Sequence, residues 1–450
     1  VKRLEKPPKT KKLVEFLIDP VSTIIIEQFS EYNQLVKQIN DEYLYWDKAK
    51  YKLPNSLKNA DINYAEGLWQ LAKVRREIGQ KSLKFAKHPF ILSLPDLLYS
   101  QLHHFDLHLG GSLGGQSELS ESDKHQYLIG SIMEESIASS QIEGAITSRI
   151  VAKDMLRKNR PPRNKSEQMI LNNYQTIQHI LQIKSQPLTS ESLLEIHRLI
   201  TADTMEKPEE TGQFRQHDDI HVVDAIEGEV IHTPPSHTTL PAFIEDLCGF
   251  FNDETPKFFI HPVVKASIIH FLIGYFHPFT DGNGRTARAL FYWYLLKKGY
   301  WLTEYLSISR VILQSRMQYY RAFQYTEADE NDLTYFVIYQ VKTLRKAYEE
   351  LKKYIDRKNT EKKQLVSFQR IEGISLRQAQ IIKLIQEDAD RILNVKEIEN
   401  RFGVSNQTAR NDLQQLVDMA FLEKVSVNRK EQRFVKSRQF DQVLKKHLSR

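Results

Sequence analysis

The sequence predicts a mainly α protein of several domains, and three observations carry that prediction. Apolar residues recur at three- and four-residue spacing along most of the chain, punctuated by Pro, Gly and Asn. Strand-like alternation is confined to two short segments that read as hairpins. One is Ile220 to His232, where Glu227-Gly228 separates His221-Val222-Val223 from Val230-Ile231-His232; the other lies near Phe421 to Val435. At about 150 residues per domain, 450 residues leave room for about three domains, enough to bury a sizeable core without disulfides or structural metals.

Composition narrows the class. Hydrophobic residues are 41 % and charged residues 27 %, a globular mixture that excludes a disordered tail protein and a fibrous repeat. The single cysteine, Cys248, can form neither an internal disulfide nor a cysteine-based zinc site, so the expected compartment is cytoplasmic. The first apolar run, Leu13 to Ile18, stops at Asp19-Pro20, and no later stretch of about 18 uncharged apolar residues occurs, so neither a leader nor a membrane span is expected. The richest apolar window, Val263 to Phe279, contains Lys265, His270 and His277, which suit a buried helix better than lipid.

In chain order, residues 1–12 hold six Lys or Arg, two Pro and one Glu, a composition that reads as a flexible basic arm. Helical periodicity then fills an N-terminal region, 13–115, closed by the Gly-rich stretch Gly110 to Gly115. A second unit covers 123–342. In 343–370, with Val341 just ahead, Leu344, Tyr348, Leu351 and Ile355 form one apolar seam in a charged background. A connecting helix packed on its own chain fits this better than a dimerising coiled coil, which needs three or more heptads; a homodimer stays open. In 371–450, Val395 to Phe402, the turn Gly403-Val404-Ser405 and Asn406 to Ala420 spell helix, turn, helix, with Ser405 or Asn406 as N-cap. The hairpin that follows carries Lys424, Arg429, Lys430, Arg433 and Lys436.

The formal net charge of +6 is concentrated at the C-terminus, where Phe421 to Arg450 hold nine basic and three acidic residues. That favours a polyanion such as DNA. Residues 371–420 hold six basic and eight acidic residues, and the presumed recognition helix offers only Arg410 beside Asp412, so DNA and protein stay open as partners of this module.

The chemistry concentrates at His277-Pro278-Phe279-Thr280-Asp281-Gly282-Asn283-Gly284-Arg285-Thr286-Ala287-Arg288, between the helical patterns Pro262 to Tyr275 and Arg285 to Lys298. Amides freed at the second helix start point outward beside its positive dipole end, and Gly282 and Gly284 lack side chains that would keep an anion away. Arg285 and Arg288, three apart, offer guanidinium forks for further phosphate oxygens. Asp281 is a hard ligand suited to Mg²⁺, which commonly takes one carboxylate with nucleotide phosphates and waters. The imidazole of His277 can accept the proton of a hydroxyl attacking phosphorus.

This run resembles the Fic family signature His-x-Phe-x-Asp/Glu-Gly-Asn-Gly-Arg-x-x-Arg, matched without gap or substitution over residues 277–288. The resemblance extends over roughly residues 130–340. It implies a helical core with a β-hairpin flap and transfer of AMP from ATP to a Ser, Thr or Tyr hydroxyl of a protein. In it His277 is the base, Asp281 holds Mg²⁺, Gly282, Asn283 and Gly284 bind phosphate, and Arg285 and Arg288 hold the outer phosphates. Phosphorylating relatives carry lysine where this chain has Gly284, which favours AMP transfer. Gly212-Gln213-Phe214-Arg215 resembles the family's lead-in; Glu229-Val230-Ile231-His232, before Pro234-Pro235, resembles its flap, which positions a target segment by strand addition. Tyr319-Tyr320 resembles a pair lining the nucleotide's base and ribose.

Ser139-Ser140-Gln141-Ile142-Glu143-Gly144 closes a helical stretch, with Ser139 and Glu143 on one face and Gly144 as terminator. A carboxylate in a last turn opposes the helix dipole, so Glu143 either sits in solvent or answers to a cation elsewhere. The string resembles the inhibitory motif Ser/Thr-x-x-x-Glu-Gly/Asn of Fic proteins with an N-terminal inhibitory helix, which implies that Glu143 pairs with Arg288 and denies it to the γ-phosphate. A resting adenylyltransferase is therefore expected. Two rival readings use the same residues: a DNA-binding regulator with the Fic core as sensor, and an enzyme removing AMP with Glu143 orienting water.

Overall fold

The computed structural model describes residues 4–11, 15, 29–52, 64–110, 121–223, 228, 230–426 and 432–448. It divides into two units, Val1–Leu351 and Lys352–Arg450. The expected loop at 111–115, the flap residue Glu229 and the wing-tip residues Arg429 and Lys430 lie outside the described residues.

The first unit is organised around a helix pair. Helix α1 (Pro262–Phe276) has apolar side chains all round and is buried from Val263 to Ile273, as a core helix must be. It packs against α2 (Asn283–Lys297), and the loop between them carries the signature. The polar groups on α1 are satisfied inside the core. Lys265 Nζ donates to the Asp253 carbonyl at 3.1 Å and lies over the rings of Phe250 and Tyr294, and burial lowers its pKa. His270 Nδ1 accepts from Gln340 Nε2 at 2.9 Å and its Nε2 donates to Tyr319 Oη at 2.9 Å. Burial keeps this ring neutral.

Helix α3 (Glu121–Ile142) ends within the string Ser139 to Gly144 and packs on α4 (Lys165–Ile183), α5 (Ile308–Gln314) and α2. Helices α6 (Ser190–Thr201), α7 (Leu240–Asn252) and α8 (Arg316–Ala328) complete the surroundings of the site. The N-terminal region is tied to the loop after α8 and to the start of the helix that follows it by buried polar groups: Lys73 Nζ donates to Asp329 at 3.0 Å, Tyr43 Oη to Asp332 at 2.6 Å, and Arg76 Nη1 to Tyr335 Oη at 2.8 Å. Each buried charge has a partner, without which it would cost several kcal/mol.

A third hairpin corrects the expectation of only two. Strands β1 (Lys81–Phe85) and β2 (His88–Leu92) pair antiparallel about the two-residue turn Ala86-Lys87. Both turn residues have positive φ, 47° and 71°. That is the conformation two-residue hairpins require, but with none of the Asn or Gly that announces it in a sequence. The flap is present as β3 (Val222–Val223) and β4 (Val230–His232), antiparallel with a register shift at Val222/Val223.

The long helix α9 (Thr334–Gln369) buries the predicted seam residues Val341, Leu344, Tyr348 and Leu351 against its own unit. In the second unit, α10 (Leu376–Glu387), α11 (Val395–Phe402) and α12 (Asn406–Asp418) precede β5 (Leu422–Ser426), β6 (Gln432–Lys436) and α13 (Phe440–Leu448). Gly403, at φ 61°, ends α11 in the left-handed region, and Ser405 is the N-cap of α12, accepting from Thr408 N at 3.2 Å. Ile381, Leu393, Ile398, Leu413, Phe421 and Phe434 close a core of its own.

Candidate active site

His277 caps α1 in the left-handed conformation, φ 48°, which turns its ring off the helix axis. Its Nδ1 lies 2.8 Å from the Gly274 carbonyl; a carbonyl only accepts, so the proton sits on Nδ1 and Nε2 keeps a lone pair. Burial lowers the pKa to about 4, outweighing the hydrogen bond to Gly274, with the nearby charges of His232 and Arg215 acting in the same direction as burial. At neutral pH the imidazole is therefore a free base.

The loop after it is held by two residues whose importance the motif does not announce. Arg215 Nε donates to the His277 carbonyl at 2.8 Å, Nη2 to the Phe276 and Pro235 carbonyls, and its own amide to the Pro278 carbonyl at 2.9 Å. His197, on α6, stacks on Phe279 with ring centroids 3.7 Å apart. Its Nδ1 accepts from Gly212 N, which leaves Nε2 to donate to the Asp281 carbonyl, each at 3.0 Å. Burial lowers the pKa of His197 to about 4 as well. A lone histidine on an amphipathic helix carries no sequence signal for this bracing.

At the expected cradle the side chains of Asn283 and Arg285 turn back on the protein. Asn283 turns its carboxamide back on the loop: Oδ1 accepts from Phe279 N at 3.0 Å and Nδ2 donates to the Phe279 carbonyl at 2.8 Å. Gly282, at φ 81°, is the left-handed residue ahead of α2. Arg285, expected to hold an outer phosphate, is buried and donates from Nη1 to the Ile200 carbonyl at 2.9 Å, with Asp281 Oδ2 at 3.5 Å from Nη2. It draws the loop onto α6, and its Nε is buried with no hydrogen-bond partner among the described residues. The Asp281 side chain is 51 % exposed, with Oδ1 accepting from Gly282 N at 2.5 Å.

Glu143 reaches this cradle from α3. Its Oε1 accepts from Arg288 Nη2 at 2.9 Å, while Ser139 takes Arg288 Nε on its hydroxyl at 2.8 Å and Nη2 on its carbonyl at 3.0 Å. A Cβ built on Gly284 would collide with the Glu143 carboxylate, so that carboxylate lies directly on the helix start where an anion would bind. Arg288 Nη1 is buried with no hydrogen-bond partner among the described residues, a donor left over for another ligand. Gly144, at φ 96°, ends the turn, and Arg316 Nη2 donates to the Ile142 carbonyl at 2.6 Å, satisfying one of the orphan carbonyls of α3.

The register of α3 is fixed by a carboxylate that the sequence reading missed. Glu135 is buried and accepts from Tyr292 Oη and Ser309 N, both at 2.9 Å, from Ser307 Oγ at 3.2 Å, and from Ser309 Oγ. Burial raises its pKa against these donors.

The cleft, about 210 Å³, is lined by Glu143, His277, Asp281 to Gly284, Ile231 and His232 of the flap, and Tyr319, Tyr320, Phe323, Gln324 and Glu327 of α8. Val230 stands on the exposed flap edge, Tyr319 is largely buried, and Tyr320 Oη accepts from Arg316 Nε at 3.3 Å. Thus Ser139, Glu143, His277, Asp281, Gly282, Gly284 and Arg288 come together at one spot.

Comparisons with known proteins agree with this architecture. The Fic/DOC family matches residues 187–295, and the DeoR-like helix-turn-helix domain matches residues 377–426. A protein adenylyltransferase Fic from Culex quinquefasciatus is 34 % identical over 156 residues, 34 % of this chain and 27 % of that protein. One from Nematostella vectensis is 35 % identical over 121 residues, 26 % of this chain and 25 % of that protein. The chain thus spans about a quarter of the length of these relatives. Among solved structures, a Fic family protein from Desulfovibrio desulfuricans aligns with TM-score 0.50 and 20 % identity, covering 76 % of this chain and 95 % of that one. A Fic-1 fragment from C. elegans aligns with TM-score 0.50 and 17 % identity, covering 76 % and 93 %. Those identities bear on the fold alone. The signature, the fold and the two domain matches agree that the chain contains a Fic/DOC family domain at residues 187–295 and, C-terminal to it, a DeoR-like helix-turn-helix domain at residues 377–426.

Proposed function

We propose that the chain is an auto-inhibited protein adenylyltransferase that transfers AMP from ATP to a hydroxyl side chain of a target protein and of itself. The observation that carries this reading is the shared cleft: a neutral His277 with a free Nε2 beside a helix-start cradle on which Glu143 sits while holding Arg288. The acceptor hydroxyl oxygen attacks the α-phosphorus, its proton passes to His277 Nε2, the bond from the α-phosphorus to the bridging oxygen breaks, and pyrophosphate leaves. The amides at the start of α2 take phosphate oxygens, and Arg288, once released, takes the γ-phosphate.

Mg²⁺ fits Asp281. Among the described residues no group of three His, Cys, Asp or Glu side chains is placed to hold a metal by itself, and Mg²⁺ is normally shared between one carboxylate and nucleotide phosphates. When bound it would neutralise charge on the leaving pyrophosphate. The domain division follows from this reading: an N-terminal region, 13–115, a Fic domain with its inhibitory helix, 123–342, a connecting helix, 343–370, and a winged helix, 371–450. No helix among the described residues is long and apolar enough to cross a membrane.

The test is label transfer. Full-length protein with Mg²⁺ is expected to acquire label from α-labelled ATP and none from γ-labelled ATP. Label from γ-labelled ATP alone would assign phosphate transfer, and label from neither, with Glu143→Gly also tested, would overturn the reading.

For the C-terminal module DNA is the favoured partner. Asp412, which made the recognition helix look unsuitable, is buried in an ion pair with Arg377 and does not face outward. The exposed face of α12 is Gln407, Arg410, Asn411 and Gln414, the amide and guanidinium side chains that read base edges in a major groove. Full-length protein is expected to retard duplex DNA on a gel at low salt, with affinity falling as salt rises. Deleting 371–450 should abolish this while leaving auto-modification intact. Absence of binding at low salt would make the module a protein-docking domain.

A further inference from the structure

His232, the last residue of β4, joins three elements, and its protonation state is fixed by what surrounds it. Nδ1 lies 2.7 Å from Oε2 of Glu327, in the last turn of α8, and Nε2 lies 2.7 Å from the carbonyl of Tyr275, at the C-terminal end of α1. A carboxylate and a carbonyl both accept, so both ring nitrogens carry protons and His232 is an imidazolium. Other buried histidines differ: His197, His261 and His270 each face one donor and one acceptor, as a neutral ring requires. Burial works against a charge on His232, yet its pKa is raised because Glu327 and the Tyr275 carbonyl together outweigh burial. The carbonyl it binds belongs to the negative end of the α1 dipole, where a cation is favoured.

The placement gives that charge a consequence. The His232 ring centroid is 6.5 Å from that of His277 and 5.3 Å from that of Tyr275, and Glu327 lines the same cleft as His277. The titratable groups facing the pair are Glu327 from α8, Tyr275 and His277 from the end of α1, and His221 across the flap, whose Nδ1 is 3.4 Å from Thr233 Oγ1. Beyond His277 lie the charges of Glu143 and Arg215. Strand β4 has Val230 55 % exposed and its partner Val223 49 % exposed, an apolar edge that no other strand covers among the described residues. An extended acceptor segment laid on that edge would be registered against His277 by whatever holds β4, and His232 ties β4 to α1 and α8.

We propose that His232 and Glu327 form a charged clamp that fixes the flap strand against the base and so positions the acceptor hydroxyl at His277 Nε2. They are positioning residues, and the proposal rests on the transfer reading above. The clamp is closed below the ordinary imidazole value near 6.5 and opens as pH rises through the raised value of His232, because the extra stability of a group with a raised folded pKa is lost over that interval. The flap then loosens while the nucleotide cradle, built from other residues, stays intact.

The experiment replaces Glu327 by Gln in full-length protein that also carries Glu143→Gly. The carboxamide oxygen still accepts from Nδ1, so the substitution removes charge and keeps shape. With α-labelled ATP and Mg²⁺, kcat for auto-modification at pH 7 is expected to fall about ten- to a hundredfold, with KM for ATP changed by less than about twofold. The alkaline limb of the pH profile should move to lower pH, because the charge of Glu327 is one cause of the raised His232 value. An independent readout needs no activity: in full-length protein labelled at histidine Cε1, the resonance absent from His232→Gln should remain protonated at pH 7 in the parent and become largely neutral in Glu327→Gln. Unchanged kcat and pH profile in a transferring parent would overturn the clamp, as would a His232 resonance titrating at or below about 6.5. If the Glu143→Gly parent transfers no AMP, the transfer reading fails by itself, and the clamp stands or falls on the titration.

Discussion

Glu143→Gly is expected to raise AMP incorporation by about two orders of magnitude, a lowering of the barrier by about 2.7 kcal/mol, most visibly onto the protein itself. Two effects add. The substitution frees Arg288, whose side chain is 1 % exposed and which otherwise donates to Glu143 and Ser139. It also removes a carboxylate from the helix start over Gly284, where a second anion would be repelled. Glu143 itself is 29 % exposed, so solvent weakens the ion pair, and the estimate stays at a few kcal/mol, below the value for a fully buried pair. Arg288→Ala separates the two effects. It also releases the glutamate but removes the γ-phosphate ligand, so activity should fall in wild-type and Glu143→Gly backgrounds alike. Equal label incorporation by wild type and Glu143→Gly at matched concentration would show that Glu143 is no brake.

His277→Ala is expected to reduce transfer by about 10² to 10⁴ in rate while leaving ATP affinity nearly unchanged. Nδ1 is committed to the Gly274 carbonyl, so Nε2 is the only ring atom able to accept a proton, and the cradle amides belong to other residues. Because burial lowers the His277 pKa to about 4, the neutral form predominates throughout the physiological range. Transfer should hold between pH 7 and pH 6 and fall only as pH approaches that value. The measurements are single-turnover label transfer and equilibrium ATP binding on the same preparations. Undiminished turnover in His277→Ala would remove the imidazole from the mechanism, and a fall in rate already between pH 7 and pH 6 would show that its pKa is not lowered.

The two variants act on opposite ends of one cleft, and their double mutant is informative. If His277 moves the acceptor proton and Glu143 controls only the nucleotide, His277→Ala should remain inactive when Glu143→Gly is added. The pair would then bind ATP more tightly than wild type without turning it over.

The fold class and the place of the candidate site were legible in the residues alone. Helical spacing and scarce alternation specified a mainly α fold, because the period of burial is written locally in the side chains. Residues 277–288 marked the loop that carries the candidate base, metal ligand and cradle, because a loop between two helices needs only neighbours in sequence to form. The same holds for Gly403 and Ser405 in the helix-turn-helix, whose roles as terminator and cap depend on backbone only a few residues away.

Contacts between residues far apart in the chain came from helix packing. Packing set Arg285 Nη1 on the Ile200 carbonyl, made His197 and Arg215 the braces of the loop, and buried Glu135 among donors from Tyr292, Ser307 and Ser309. The structure has a hairpin whose turn residues, Ala86 and Lys87, lack the usual turn signature. Packing also gave His232 two acceptors and therefore a charge. A side chain's type fixes what it can bind, while its charge state and role follow from which donors and acceptors remain around it once helices distant in sequence have packed.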